Sequence, residues 1–186
     1  MAKKLLTLFF LLFCSSAQAK SLDHWQFETS LEGWISPEGI NGVSAGTCNL
    51  SHRDFSEGKA SLACLYKVTP GHIFAMGREL NLGKQQVVFF EFQMKSLRTP
   101  QWYLSLEEKD GSSYVLPIEL SALNQWQGLS ISSQMFKLGQ DSYDENKKLD
   151  LHQVDKILLF DISGLLAFEQ SKTAVLIDDF KIKTPG

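Results

Sequence analysis

Apolar and polar residues alternate along much of this chain, most clearly between Val87 and Lys95. There one set of side chains is entirely apolar and the other is mixed. The apolar set is Val88, Phe90, Phe92 and Met94, and the mixed set is Val87, Phe89, Glu91, Gln93 and Lys95. A period of two puts successive side chains on opposite faces of a strand. The pattern therefore predicts a half-buried β-strand.

The segment from Trp102 to Glu107 shows the same alternation. Trp102, Leu104 and Leu106 form its apolar set, and Tyr103, Ser105 and Glu107 form its polar set. An Asp-Gly pair follows within residues 109–112, and this pair is typical of a hairpin turn. The turn leads to a further apolar segment at residues 114–118. These features predict two adjacent antiparallel strands.

Other short segments along the chain also have strand character. They lie at residues 60–68, 73–80, 129–132, 156–162 and 174–182, with short helices or turns predicted at 121–124 and 151–154 and a surface loop at 139–148. Gly, Pro, Asn and Asp clusters separate the strands, and no long helical pattern lies between them. The chain therefore predicts an all-β fold, an antiparallel β-sandwich, in a single domain over residues 20–186.

Residues 1–19 have the three parts of a secretory signal peptide. Lys3 and Lys4 precede an apolar run of about nine residues, and the segment ends in Ala17-Gln18-Ala19. The run is too short for a transmembrane helix, which needs about 20 residues. We therefore expect an exported protein, periplasmic or extracellular, that begins at Lys20. Lipid modification of Cys14 is an alternative, although the residues before it, Leu12 and Phe13, are not the small ones that lipoprotein processing favours.

Removal of the leader would leave 16 basic and 21 acidic residues, a net charge of −5. This balance argues against a nucleic-acid or anionic-membrane partner held through phosphates. Two cysteines would remain, Cys48 and Cys64, in a compartment where thiols tend to pair. The first interpretation is a Cys48–Cys64 disulfide worth about 3 kcal/mol. Two buried free thiols, or less readily a metal site, are the alternatives.

Four motifs follow one another in a recognisable order. They are Phe27-Glu28 with Gly33-Trp34, the segment 56–62, the segment Leu149-Asp150-Leu151 with Val154 and Ile157, and Ile177-Asp178-Asp179. In this order the chain resembles carbohydrate-binding modules of the galactose-binding-like superfamily, and the related complex I intermediate-associated proteins. The resemblance implies a jelly-roll sandwich in which the first and last strands meet, and a binding function.

The resemblance also implies a structural calcium ion. It assigns side-chain oxygens of Glu28 and Asp178 as ligands, with a backbone carbonyl near Lys59. Hard oxygen ligands suit Ca²⁺, and two adjacent buried carboxylates would otherwise repel each other. The alternative is that both carboxylates are ordinary solvated groups at strand ends.

A carbohydrate would lie on the sheet face or in the edge loops of such a module. If the two alternating strands are neighbours, their mixed faces combine aromatic rings with polar groups. This candidate ligand set is Phe89, Glu91, Gln93, Tyr103, Ser105, Glu107 and Asp161. The alternative is an ordinary solvent-facing sheet. The tryptophans are expected in the core, because large aromatic residues usually bury.

Catalysis finds little support in the sequence. Zinc-protease, nucleophile-elbow and phosphate-loop motifs do not occur, and adjacent Glu107 and Glu108 point to opposite faces of a strand. Glu91 with Glu107 or Asp161 would imitate a glycosidase or lyase site only if their strands pair. We therefore expect a non-catalytic binder of polysaccharide or oligosaccharide. The main alternative is an accessory protein that binds an envelope protein through the same sandwich.

Overall fold

A computed structural model describes residues 20–37, 39–98 and 101–185, and the predicted leader lies outside them. The strands are β1 (Ser21–Trp25), β2 (Val43–Ser44), β3 (Gly46–Ser51), β4 (Ser61–Val68), β5 (Ile73–Glu79), β6 (Phe89–Ser96), β7 (Trp102–Glu108), β8 (Ser113–Ile118), β9 (Gln127–Ser132), β10 (Lys137–Leu138), β11 (Val154–Asp161) and β12 (Ser171–Lys183). A single α-helical turn, α1, spans Ser163–Leu166, and a 3-10 turn spans Ser133–Met135.

The strands form two six-stranded sheets. The first sheet has the order β3-β4-β12-β6-β9, with β1 also paired to β12, and the second has the order β10-β8-β7-β11-β5-β2. Every pairing is antiparallel except that of β2 with β5. The all-β jelly-roll sandwich expected from the sequence is confirmed.

The core lies between the sheets and is built by the alternation seen in the sequence. In β6 each apolar side chain is buried and each mixed-face side chain is only partly so. In β7, Trp102, Leu104 and Leu106 are likewise buried. Trp25 and Trp34 also lie in the core, whereas Trp126 is partly exposed and donates a hydrogen bond to Asp54.

The two ends of the described chain pair with each other. Trp25 of β1 lies opposite Phe180 of β12. The first strand is earlier than its motif suggested, because Phe27 has a φ of 58° and turns the chain out of β1. The strands predicted near the ends do meet, but Glu28 follows β1 and is not part of it.

Cys48 and Cys64 form the predicted disulfide. They lie directly opposite each other on β3 and β4, so the bond crosslinks an edge strand to its neighbour. A disulfide fits a protein exported to an oxidising compartment.

The predicted helices or turns at residues 121–124 and 151–154 are turns, the second of them ending where Val154 begins β11. The one α-helical turn of the described chain, at Ser163–Leu166, was not predicted. The region 139–148 contains neither helix nor strand, as predicted. Among the described residues, no helix has the length and apolarity needed to cross a bilayer.

Candidate functional site

The outer face of the second sheet carries a row of aromatic and apolar side chains. Tyr103 of β7 lies opposite Phe160 of β11 on one side and Pro117 of β8 on the other. The rings of Tyr103 and Phe160 are parallel within 9°, and their centroids are 5.6 Å apart. Both side chains are partly exposed. Together they present an aromatic surface at the middle of the sheet.

Two clefts open on the outer face of the second sheet. The first, of about 750 Å³, is lined by Tyr103, Phe160 and the loop that follows β10. The second, of about 480 Å³, is lined by Glu107, Lys156 and Leu158 in the sheet and by Ile35 and Ile40 in the loop before β2. We refer to the two clefts together as the groove.

Hydrogen bonds fix the loop that follows β10 and lines the first cleft. Ser112 donates its hydroxyl to the Tyr143 carbonyl at 2.9 Å, and the Ser113 backbone donates to the Ser142 hydroxyl at 2.7 Å. Beneath them, buried Asp144 accepts hydrogen bonds from the Tyr114 hydroxyl and the Lys148 backbone. These contacts hold Tyr143 beside the cleft with its side chain 81% exposed.

Acidic side chains outnumber basic side chains along the two clefts. Lys156 donates to Glu107 at 2.8 Å, and this hydrogen bond raises the pKa of Lys156. The titratable residues along both clefts are Asp110, Asp141, Glu79, Glu107, Arg78 and Lys156. Four acids against two bases disfavour a polyanionic ligand.

A cluster of carboxylates lies behind the turn between β7 and β8. Ligand oxygens of Glu108, Asp110 and Asp144 lie within 4.8 Å of one another. Burial raises the pKa of Glu108, even though its carboxylate accepts a hydrogen bond from the Asp150 backbone. The hydrogen bond from the Tyr114 hydroxyl lowers the pKa of Asp144. The negative charge of Glu108 is therefore unfavourable in the folded protein.

We expect Glu108→Gln to raise the melting temperature at pH 7. Glutamine keeps an oxygen for the Asp150 N–H and removes the penalised charge. The raised pKa of Glu108 in the folded protein lowers stability only at a pH where Glu108 is ionised. The gain in melting temperature from Glu108→Gln should therefore shrink as the pH falls through the pKa of Glu108 in the folded protein, and it should vanish below about pH 4. Thermal melts across pH, with exposed Glu145→Gln as control, measure the effect. A lower melting temperature for Glu108→Gln at pH 7 would contradict it.

The predicted ligand set is divided between the two sheets, which corrects the expectation of one shared face. β6 carries Phe89, Glu91 and Gln93 on the outer face of the first sheet, whereas β7 belongs to the second sheet. On the first sheet Glu91 forms a salt bridge with Lys183, and Gln93 lies against Gly128. These side chains contact their own sheet, with a smaller cleft of about 260 Å³ beside them.

Asp161 was predicted on the ligand face and lies in the interior instead. It is 2% exposed and accepts hydrogen bonds from the Tyr66 hydroxyl, the Gln101 backbone and Ser163. Tyr103 and Glu107 are on the outer face of the second sheet as expected. Ser105 lies between Tyr103 and Glu107 on the same face of β7, but it is buried, and its hydroxyl is hydrogen-bonded to the Ser113 hydroxyl at 2.9 Å.

Glu28, Lys59 and Asp178 come together at the turn of residues 56–59. The Lys59 N–H donates to both Glu28 oxygens at 3.0 and 3.1 Å, and the Lys59 carbonyl lies 3.3 Å from His52 Nδ1. Asp178 is buried, and its Oδ2 accepts from the Ser56 backbone, the Ser56 hydroxyl and the Glu57 backbone. Both carboxylates therefore cap the same turn.

Gly58 makes this arrangement possible. Its φ is 67°, and a side-chain carbon at this position would lie 1.6 Å from Glu28 Oε1. Glycine provides both the left-handed conformation and the space that the carboxylate occupies.

Several solved structures with a similar fold are carbohydrate-binding modules. The chain superimposes on the family 11 carbohydrate-binding module of the cellulosomal cellulase Lic26A-Cel5E of Clostridium thermocellum with a TM-score of 0.66 and 15% identity, covering 92% of this chain and 97% of that one. For the CBM22-1 xylan-binding domain of Paenibacillus barcinonensis Xyn10C the TM-score is 0.59 and the identity 15%, with 90% and 96% covered. These similarities confirm the predicted jelly-roll type of fold.

A larger protein contains the same fold as one part. The match to an exo-β-agarase has a TM-score of 0.60 and 14% identity, and it covers 89% of this chain but only 25% of the agarase. No protein-family model matches the sequence. No curated protein matches it either.

Proposed function

We propose that the protein is a non-catalytic carbohydrate-binding module that holds a neutral polysaccharide or oligosaccharide in the groove on its second sheet. The observation that carries the proposal is the partly exposed, stacked pair of Tyr103 and Phe160, which lines the first cleft of this groove. Aromatic rings offer flat apolar surface to the C–H faces of a sugar, while nearby polar groups meet its hydroxyls. The excess of acid favours an uncharged glycan over a polyanion.

The similar solved structures support this function. A family 11 module was solved with a β-1,3-1,4-mixed-linked tetrasaccharide, and the family 22 module is described as xylan-binding. The similarity covers 94% of the family 11 chain and 96% of the family 22 chain. Because a shared fold does not fix a function, the groove residues and not the fold carry the proposal.

We expect Tyr103→Ala and Phe160→Ala each to weaken binding by about tenfold, on the scale of one lost aromatic contact. Affinity electrophoresis in gels with mixed-linked β-glucan, xylan or agarose gives the dissociation constants. Phe89→Ala is the matched control, because it removes a ring from the opposite sheet and should leave binding unchanged. If no neutral glycan retards the wild type, or only Phe89→Ala loses binding, the groove is not a glycan site. An envelope-protein partner would then replace this function.

We also propose that Glu28 and Asp178 hold a calcium ion that stabilises the sandwich. Oxygen donors are the ligands that Ca²⁺ prefers. A carboxylate has about four acceptor positions. Among the described residues, Asp178 Oδ1 accepts one hydrogen bond, from the Asp179 N–H, and the two Glu28 oxygens share the Lys59 N–H. The residues therefore keep acceptor capacity for a cation beside the turn.

Calcium at 100 times its dissociation constant should raise the free energy of unfolding by about 2.7 kcal/mol. Urea unfolding with calcium or with a chelator measures this difference. Asp178→Asn keeps an acceptor oxygen for the turn but removes the charge, so it should lose the sensitivity to chelator. Identical unfolding curves for metal-free wild type with and without calcium would remove calcium from this account.

A further inference from the structure

Three large apolar side chains project from the connection between β11 and β12. Leu165 is 55% exposed, Leu166 is 60% exposed and Phe168 is 98% exposed. Within residues 165–168 these three large apolar side chains are each more than half exposed, and we call them the apolar tip, whereas Ala167 between them packs against the core. Scattered single apolar residues are ordinary on a surface, but a contiguous exposed group marks an interaction site.

The base of the apolar tip is packed closely on the loop before β5. A side-chain carbon at Gly164 would lie 1.9 Å from the His72 carbonyl. The Gly71 N–H donates to the Gly164 carbonyl, and the Leu165 and Ala167 N–H groups donate to the carbonyls of Ile162 and Gly164. The exposed apolar side chains therefore project from a turn that is held against the sandwich by packing and hydrogen bonds.

Basic residues lie beside the apolar tip, at the same end of the sandwich. Lys67 of β4 and Lys172 of β12 are directly opposite each other. Arg98 donates to Ser171 at 2.7 Å. We call Lys67, Arg98 and Lys172 the basic rim. Among the described residues, none of the three forms a salt bridge with a carboxylate.

The basic rim points to an anionic partner. Like charges directly opposite on neighbouring strands are unfavourable unless something of opposite sign shares them. Glu169 is the one acid within the connection, so this end is locally positive although the chain without its leader would carry a charge of −5. The combination of protruding apolar side chains and a basic rim is complementary to a bilayer with anionic headgroups.

We propose that the apolar tip inserts into the interface of an anionic lipid bilayer while the basic rim contacts the headgroups. A bilayer accepts protruding side chains without a shaped pocket, whereas a folded partner would have to supply a cavity for the almost fully exposed Phe168. The attachment is peripheral, and it is separate from the glycan groove because it uses the end of the sandwich and not the face of the second sheet.

Vesicle flotation tests this proposal with the full chain. We expect the wild type to float with phosphatidylcholine vesicles containing 30% phosphatidylglycerol at 0.1 M salt, and much less with pure phosphatidylcholine. Phe168→Ser should lower the partition coefficient by about tenfold, and Lys67→Glu with Lys172→Glu should remove the preference for anionic lipid. Ile40→Ser is the matched control, since Ile40 is also about half exposed but lies in the glycan groove.

Two results would overturn the proposal. One is equal flotation of wild type and Phe168→Ser, or none with either vesicle. The other is a lipid-independent dimer in sedimentation velocity that Phe168→Ser abolishes, because a second copy would then cover the apolar tip. Tyr103→Ala should float like the wild type, so failure of glycan binding and failure of lipid binding are distinguishable.

Discussion

Trp102→Ala should lower the free energy of unfolding by about 3–5 kcal/mol. Trp102 is among the largest fully buried side chains, and its ring packs edge-on against Tyr66 and Phe74 from the two sheets. Alanine would leave a cavity between sheets whose backbones are fixed by hydrogen bonds, so collapse around the gap would be limited. Urea unfolding followed by circular dichroism measures the loss.

The neighbouring residue provides the contrast. Tyr103→Ala removes a ring from the outer face, where it contacts Phe160 and solvent, and we expect a loss of about 1 kcal/mol. The effect on glycan binding should be the reverse, with Tyr103→Ala impaired. If Tyr103→Ala proves the more destabilising of the two, the inner and outer faces of β7 have been exchanged.

Asp161→Ala should lower the free energy of unfolding by about 3–5 kcal/mol, because it leaves several buried hydrogen-bond donors without an acceptor. The Tyr66 hydroxyl, the Ser163 backbone and the Ser163 hydroxyl all donate to this carboxylate. Burial, and then the nearby charge of Asp161, raise the pKa of Tyr66, so the phenol remains a donor at any ordinary pH.

Asp161→Asn is the matched variant for this site. Its oxygen can still accept from Ser163, and its amide can donate to the Tyr66 hydroxyl. We therefore expect a clearly smaller loss of stability than with alanine, measured by the same urea unfolding. Equal losses for the two variants would show that negative charge, and not the set of hydrogen bonds, holds this part of the core together.

The strands could be predicted because alternation is a property of each segment by itself. β6 and β7 bury the side chains that their patterns indicated. Which strands become neighbours is not contained in such a pattern. β6 and β7 are consecutive in the chain yet lie in opposite sheets, so three of the seven candidate ligand residues lie on a different sheet from Tyr103 and Glu107.

The face of β11 was also not readable from its sequence. Residues 157–160 are apolar at every position, because one face meets the core and the other meets the partly covered groove. Because residues 157–160 do not alternate, their sequence does not show which side chains face the core. Asp161 was therefore assigned to the outer face, and Phe160 was left out of the candidate ligand set. Tyr143 was not in the candidate set either, although it is the one aromatic residue within the predicted polar loop and lines the first cleft.

The position of β12 affects the order in which the sandwich can assemble. β12 ends at Lys183, pairs with β1, β4 and β6, and joins the two halves of the first sheet. Until β12 forms, the edges of β4 and β6 that it joins are unpaired. Because such non-local pairings must wait for distant segments, the first sheet should form slowly and close only once β12 is available. A variant truncated within β12 would therefore leave β4 and β6 with exposed strand edges, which are ready templates for pairing with another chain.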